Sequence, residues 1–393
     1  MKQTHKQILS ILLFACIATF IYLFFYYFLY EQLYTHFTYL PPVDRNESMK
    51  YILLWTDANT IPFETLGKGH EIFAKRNCTY TNCYVTDSRN YFDTYLLFHA
   101  IVFAWPQIFQ KRIALPQWRS PYQKFIFASI ESPVYYPLCD VQYNAYFNWT
   151  WTYKLDSDMR WEYIDVLDHK GNIIGPKKDM QWLDFEQMSP IDNDLKSVLA
   201  KKTKAAAWFV SNCKSKSKRE KFVQRLQKEL EKFNFSVDIY GRCGPLKCPP
   251  NEEDCTKKLE TDYFFYLSFE NSFAEDYVTE KLLTALQHNT VPIVYGGANY
   301  TRFLPDNVYL NARTLGAEKL AVAMKHLIDN PDEYEKLFRW KNHYSYRARS
   351  ESPESDAVCN ICAMLNDKTK VESYSVIDHI VEWWTPAGIC SKR

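Results

Sequence analysis

One uncharged run near the N-terminus constrains this chain more than any other feature. Residues Ile8 to Tyr30 contain no Asp, Glu, Lys or Arg and are almost wholly apolar or aromatic. At roughly 1.5 Å of rise per residue, a helix of that length crosses a hydrocarbon core about 30 Å thick. The run exceeds the ~7–15 apolar residues of a cleaved signal core, and no small-x-small cleavage site follows it. Lys2 and Lys6 stand before it and Glu31 after it. Positive charge stays in the cytosol, so the bulk of the chain is expected on the lumenal side. The expected order is a cytosolic tail at 1–7, a transmembrane signal-anchor at 8–30 and a polar stem at 31–48 containing Pro41-Pro42.

Other features agree on the compartment. Five Asn-x-Ser/Thr sequons follow the run, at Asn46, Asn77, Asn148, Asn234 and Asn299, and together they fit a secretory-pathway protein. Of eleven cysteines, Cys16 lies in the run and ten lie beyond it. An even number in an oxidising compartment favours disulfides. Cys359-x-x-Cys362 has no further ligands at zinc spacing nearby, so a local structural disulfide is expected there. Lys plus Arg number 47 against 46 for Asp plus Glu, which leaves no net charge to attract nucleic acid. Aromatic residues make up 17% of the chain; their apolar faces and polar edges suit sugars as well as cores.

Short apolar runs bounded by turn residues read as strands at Tyr51–Thr56, Tyr95–His99 and Lys124–Ile130. A polar stretch near Gly171–Asp194 reads as a domain boundary. The second half alternates strand and helix. Strands are expected at Ala205–Ser211, Val237–Tyr240, Phe264–Phe269 and Val291–Tyr295. Helices are expected at Ser217–Asn234, Asp276–His288 and Ala317–Asp329. Such alternation predicts a parallel, doubly wound α/β sheet, with ligands at the carboxyl ends of the strands. The loops after Ser211, Phe269 and Tyr295 are therefore the places for a site.

If Asp276–Lys281 opens a helix, its free N–H groups and dipole suit a diphosphate. Tyr277 and Lys281 would then share a face, with Glu280 beside them. Lys281 would neutralise phosphate and Glu280 would accept hydroxyl hydrogen bonds; an ordinary acid-rich first turn is the competing reading. Arg219, at the start of the preceding helix, could grip phosphate bidentately or be one more surface cation. Glu131 ends a buried strand, where a raised pKa would suit a general base; a turn cap is the alternative. Asp156-Ser157-Asp158 could hold a divalent metal, but a lone D-x-D is a weak signal.

Taken together, these segments resemble the α1,3-fucosyltransferase family (glycosyltransferase family 10), in its invertebrate form. The resemblance rests on Phe269-Glu270-Asn271-Ser272, Asp276-Tyr277-Val278-Thr279-Glu280-Lys281 and Val291-Pro292-Ile293-Val294-Tyr295-Gly296-Gly297. Glu131-Ser132-Pro133, Phe147-Asn148-Trp149-Thr150 and Cys213 to Arg219 add to it. It implies a GT-B fold of two facing Rossmann-like domains, an acceptor-binding one at 49–194 and a GDP-fucose-binding one at 195–365, with a tail at 366–393. It implies inverting transfer of fucose to O3 of a GlcNAc in glycoprotein glycans. No obligatory metal is implied, a divalent ion being at most stimulatory. Glu131 would be the general base. Arg219 and Lys281 would stabilise the diphosphate, and Asn271, Tyr277 and Glu280 would bind nucleotide and fucose. The anchor-and-stem layout implies a Golgi membrane protein with its catalytic part in the lumen. The innermost GlcNAc of N-glycans is the favoured acceptor, with outer LacNAc or LacdiNAc next. A non-catalytic membrane-tethered glycan-binding protein is the reading of another class.

Overall fold

Apolar segments of this chain become strands buried on both faces, which is the condition for parallel sheets. A computed structural model describes residues 17–27, 49–247, 254–351, 356–373 and 375–392. The cytosolic tail, the stem, most of the expected anchor, Asn46 and Cys248 lie outside the described residues. Residues 17–27 are helical with exposed large side chains such as Phe20 and Phe24. No helix among the described residues is long and apolar enough to cross a membrane.

The first sheet is parallel throughout. It contains β1 (Lys50–Leu54), β2 (Cys83–Thr86), β3 (Ala100–Ala104), β4 (Lys124–Ser129), β5 (Trp149–Thr152) and β6 (Met159–Arg160), in the order β2-β1-β3-β4-β5-β6. A small antiparallel sheet joins β7 (Ile164–Asp168) and β8 (Ile173–Gly175) to β14 (Tyr344–Ala348). The second parallel sheet contains β9 (Lys204–Phe209), β10 (Val237–Tyr240), β11 (Tyr263–Phe269), β12 (Val291–Tyr295) and β13 (Leu310–Asn311), in the order β10-β9-β11-β12-β13. The helix Arg219–Glu231 buries Phe222, Val223, Leu226 and Leu230 against this sheet, the stripe its sequence period predicts.

Several expectations are corrected. Tyr95–Leu97 is a single 3₁₀ turn capped by Thr94, whose side chain accepts from Leu96 N; the strand is Ala100–Ala104. Residues 171–194 are not a bare boundary. Trp182, Leu183 and Phe185 pack in one cluster with Leu282, Leu286 and Val294. Asn148 is buried, its Oδ1 accepting from Phe125 N at 2.9 Å and its Nδ2 donating to Ser375 O at 2.9 Å, so a glycan has no room there. Asn77, Asn234 and Asn299 are exposed.

The C-terminal segment is no tail. The helix Ala357–Asn366 places Val358, Ile361 and Leu365 in the same core as Ile52, Val102 and Ile126 of the first sheet. Trp384 packs 5.0 Å from Phe127. Residues from Ala357 onwards therefore belong with the first sheet, which corrects both the limit at 365 and the tail at 366–393. Cys359 and Cys362 do not bond each other. One helical turn apart, they share a face and reach Cys78 and Cys83 respectively. Cys139–Cys390 fastens the end of the segment, and Cys213–Cys243 joins the loops after β9 and β10.

The first two staples close nearly the same loop, with separations of 281 and 279 residues. Once one is closed, the second removes little further chain entropy. Cys83→Ala/Cys362→Ala alone is expected to lower Tm only slightly. Removing both pairs should cost about 2–5 kcal/mol, read by thermal melts under non-reducing conditions.

Candidate functional site

The strand order of the second sheet reverses between β9 and β11, and a crevice opens beyond their carboxyl ends at such a point. The loops leaving these two strands are bonded together. Ser217 N donates to Asn271 O at 2.9 Å and Ser217 Oγ to Glu270 O at 2.7 Å. Lys218 turns through a left-handed conformation, φ 55°, and the next residue, Arg219, starts the helix. Arg219 is 3% exposed, so it is not a surface cation. Its Nη1 donates to Phe269 O, its guanidinium lies 5.7 Å from the Trp208 ring centroid, and its Nε has no partner among the described residues.

The helix expected from Asp276 starts at Glu280. Asp276 has φ 56° and Thr279 is extended, so the helix cannot begin earlier. Its cap comes from nine residues back: Glu270 Oε1 accepts from Thr279 N at 2.8 Å and from Thr279 Oγ1 at 3.0 Å. Glu270 is buried, and burial pushes its carboxyl up while Lys281 opposes the rise. Lys281 Nζ lies 3.5 Å from Glu270 Oε2, 2.8 Å from Glu280 Oε1 and 2.7 Å from Thr279 Oγ1. Burial alone would lower the lysine; Glu270 and Glu280 outweigh it and hold Lys281 above its ordinary value. Glu280 itself is exposed.

Glu131 comes from the first sheet, two residues beyond β4. Ser129 Oγ donates to its carbonyl at 2.9 Å, and Tyr163 Oη donates to Ile130 O at 2.7 Å. Its Oε2 accepts from Tyr277 Oη at 3.1 Å. Burial raises the Glu131 carboxyl; the Tyr277 bond and Lys281 pull it down, Glu280 and Glu270 push it up, and the net direction is upward. Beside it, Ser272 Oγ bonds Ser132 Oγ at 2.8 Å. Tyr135 Oη accepts from Lys216 N at 3.1 Å. The carboxylate from one sheet and the cation from the other thus share one cluster.

Glu131, Asn271, Tyr277, Glu280 and Lys281 gather here, with Arg219 behind them. Tyr277 differs from its expected form. It is off the helix, and its ring is buried edge-to-face against Tyr153 at 4.9 Å. Only its hydroxyl reaches the cluster, so it has no open face for stacking. Sequence reasoning missed Glu270 as a member: its partners are set by the chain's path, and no local pattern marks a cap nine residues away. The D-x-D acids are engaged elsewhere. Asp158 Oδ2 accepts from Thr150 N at 2.8 Å, and Asp156 pairs with Lys178 at 2.7 Å. Among the described residues no group of three or more His, Cys, Asp or Glu could hold a metal ion. Chemically, a carboxylate biased towards keeping its proton beside a fixed ammonium can take a proton and stabilise an anion at neighbouring points.

Two family profiles match the chain. The fucosyltransferase N-terminal profile covers residues 47–164, and the glycosyltransferase family 10 (fucosyltransferase) C-terminal profile covers residues 199–383. Alpha-(1,3)-fucosyltransferase C of Drosophila melanogaster is 37% identical over 350 residues, 86% of this chain and 78% of that protein. The chain belongs to the α1,3-fucosyltransferase family, glycosyltransferase family 10. Glycoprotein 3-alpha-L-fucosyltransferase A of Drosophila melanogaster is 29% identical to this fucosyltransferase over 88% of its length and 62% of that protein. The human 3-galactosyl-N-acetylglucosaminide 4-alpha-L-fucosyltransferase FUT3 is 30% identical over 77% of the chain and 75% of that protein. A crystal structure of an alpha1,3-fucosyltransferase with GDP-fucose overlaps 84% of the chain and 92% of that chain at TM-score 0.49 and 13% identity, too loosely to place any residue.

Proposed function

We propose that this enzyme is a type II Golgi membrane protein of GT-B fold, facing the lumen. It moves L-fucose from GDP-β-L-fucose, with inversion, to O3 of a GlcNAc in glycoprotein glycans, the innermost GlcNAc of the N-glycan core in the first instance. The observation that carries the reading is that Glu131, bonded by the Tyr277 hydroxyl, lies within electrostatic reach of Lys281, which Glu270 and Glu280 hold in place.

Glu131 takes the proton of the acceptor O3 as that oxygen attacks the anomeric carbon of fucose. The bond from that carbon to the diphosphate breaks on the opposite face, and GDP carries away the electron pair. Lys281 and Arg219 offset the charge that develops on the leaving diphosphate. Asn271 accepts from and donates to nucleotide and fucose hydroxyls, and the Glu280 carboxylate accepts from them. The buried Tyr153 and Tyr277, with the half-buried Tyr163 edge-on to Tyr277, keep water from the anomeric carbon, which protects the donor from hydrolysis.

A second reading, transfer to an outer LacNAc or LacdiNAc GlcNAc, has support in the 30% identity to a galactosyl-N-acetylglucosaminide fucosyltransferase. The test is to incubate the detergent-solubilised chain with GDP-fucose and both acceptor classes and read the products by mass. Gain of one fucose on the N-glycan core supports the first reading, and gain on LacNAc alone supports the second. Transfer to neither, with intact GDP-fucose recovered, sinks both.

Tyr277→Phe tests how the base is tuned. The lost hydrogen bond favoured the ionised carboxylate, so the Glu131 pKa rises further. The acid limb of kcat/KM is expected to move to higher pH, with little change on the plateau. An unmoved limb would show that the contact does not tune Glu131.

A further inference from the structure

A cavity of about 370 Å³ lies between the two halves, outside the Glu131–Lys281 cluster. Its walls include Pro133, two residues after Glu131, and Phe273, two residues after Asn271. The Ser132–Ser272 hydroxyl contact at 2.8 Å ties these walls together. The third wall is the C-terminal segment, with Glu382 and Trp383. Cys139–Cys390 and Thr385, whose Oγ1 donates to Leu138 O at 2.8 Å, hold that segment in place.

The adjacent tryptophans Trp383 and Trp384 differ. Trp384 is 1% exposed and donates to Tyr136 O at 2.9 Å, so it anchors the segment. Trp383 is half-buried, packed at the edge of the core beside Trp384, with part of it on the cavity wall. Its ring is nonetheless fixed. Lys154 Nζ lies 4.4 Å from the ring centroid and donates to the Trp383 carbonyl at 2.6 Å. Across the cavity, the Arg313 guanidinium lies 4.2 Å from the Phe273 centroid.

The charge of the lining indicates the ligand class. Lys154 and Arg313 balance Glu275 and Glu382, so the cavity carries no net charge. A nucleotide diphosphate needs cations facing its phosphates, and the residues proposed for that task, Lys281 and Arg219, do not line this cavity. Rigid aromatic rings beside carboxylates and a guanidinium suit a neutral ligand dense in hydroxyls, which presents C–H faces to rings and O–H groups to acids. We propose that this cavity is a saccharide subsite for the neutral acceptor glycan. Trp383 is its platform, and Glu382 and Arg313 bond its hydroxyls. The subsite holds the sugar next to the GlcNAc presented to Glu131, and it rests on the fucosyl-transfer reading above.

The test compares Trp383→Ala and Glu382→Gln with the unaltered full chain in detergent micelles. Two measurements are made: the KM values for acceptor and GDP-fucose, and saturation-transfer NMR titration of LacNAc and of an N-glycan core in the presence of GDP. Loss of one ring contact corresponds to roughly a three- to tenfold rise in acceptor KM. The proposal expects that rise in both variants for at least one acceptor, an unchanged GDP-fucose KM, and matching weakening in the titration. Glu382→Gln guards against a folding defect, because Glu382 is exposed. If the unaltered chain transfers fucose and both variants keep its acceptor KM, the subsite is overturned while the transferase reading stands. If the unaltered chain transfers no fucose, the transferase reading fails. The titration then decides alone: weakened glycan binding in both variants supports the subsite, and unchanged binding overturns it.

Discussion

Glu131→Gln is expected to lower fucosyl transfer by roughly two to four orders of magnitude, the usual worth of a positioned general base, while GDP-fucose still binds. Glutamine keeps the size of the side chain and an oxygen to accept from Tyr277 Oη, so the cluster keeps its shape. It cannot take the proton of the acceptor O3. Steady-state rates paired with calorimetric titration of GDP separate the two effects. Full transfer activity in the variant would sink the assignment of the base.

The same substitution makes a stability prediction with a definite sign. Burial raises the Glu131 carboxyl above its ordinary value. The folded state therefore holds this proton more tightly than the unfolded chain, and stability falls as pH rises from the ordinary carboxylate value through the raised one. At neutral pH the ionised group is a net cost. The glutamine variant should melt at or above the temperature of the unaltered protein at pH 7 and lose that advantage in acid. A variant that melts well below it at neutral pH would point to a structural role instead.

Lys281→Met is expected to reduce kcat by about 10²–10³-fold, the loss found when one preorganised group facing developing charge is removed. It should also destabilise the fold, because it leaves Glu270 buried without its cation. Both Glu270 oxygens keep their bonds to Thr279, but Oε2 loses the ammonium at 3.5 Å that offsets the buried charge. An uncompensated buried polar group costs about 1–3 kcal/mol. Adding Glu270→Gln removes the stranded charge, so the double variant should recover melting temperature without recovering turnover. That split separates Lys281's part in the reaction from its part in the fold. Recovery of both together would mean that only folding was at stake.

Sequence pattern carried the strand–helix alternation of the second half almost to the residue, as at Val237–Tyr240 and Val291–Tyr295. The reason is that apolar period and turn residues are local and act within a few positions. Glu131 at the end of β4 and the loop after Phe269 were legible for the same reason, since strand ends mark the place of a site before the partner is known. Family likeness extended this to the substrate class. Local patterns also erred locally: Thr94 caps a 3₁₀ turn where a strand was expected, and Asp276 breaks the start of a helix.

Other features were decided only when distant parts of the chain met. Tyr277 and Glu131 are 146 residues apart, and Cys78 and Cys359 are 281 apart. Pairings at such range depend on which sheets pack together, which no window of sequence contains. Packing turned Tyr277 from a stacking face into a hydroxyl donor, buried Arg219 under Phe269 O, closed Asn148 to glycan and drew the C-terminal residues onto the first sheet. The uncharged run from Ile8 to Tyr30 is the opposite case. The membrane anchor proposed there rests on its length and lack of charge alone, which are properties of the sequence and not of packing.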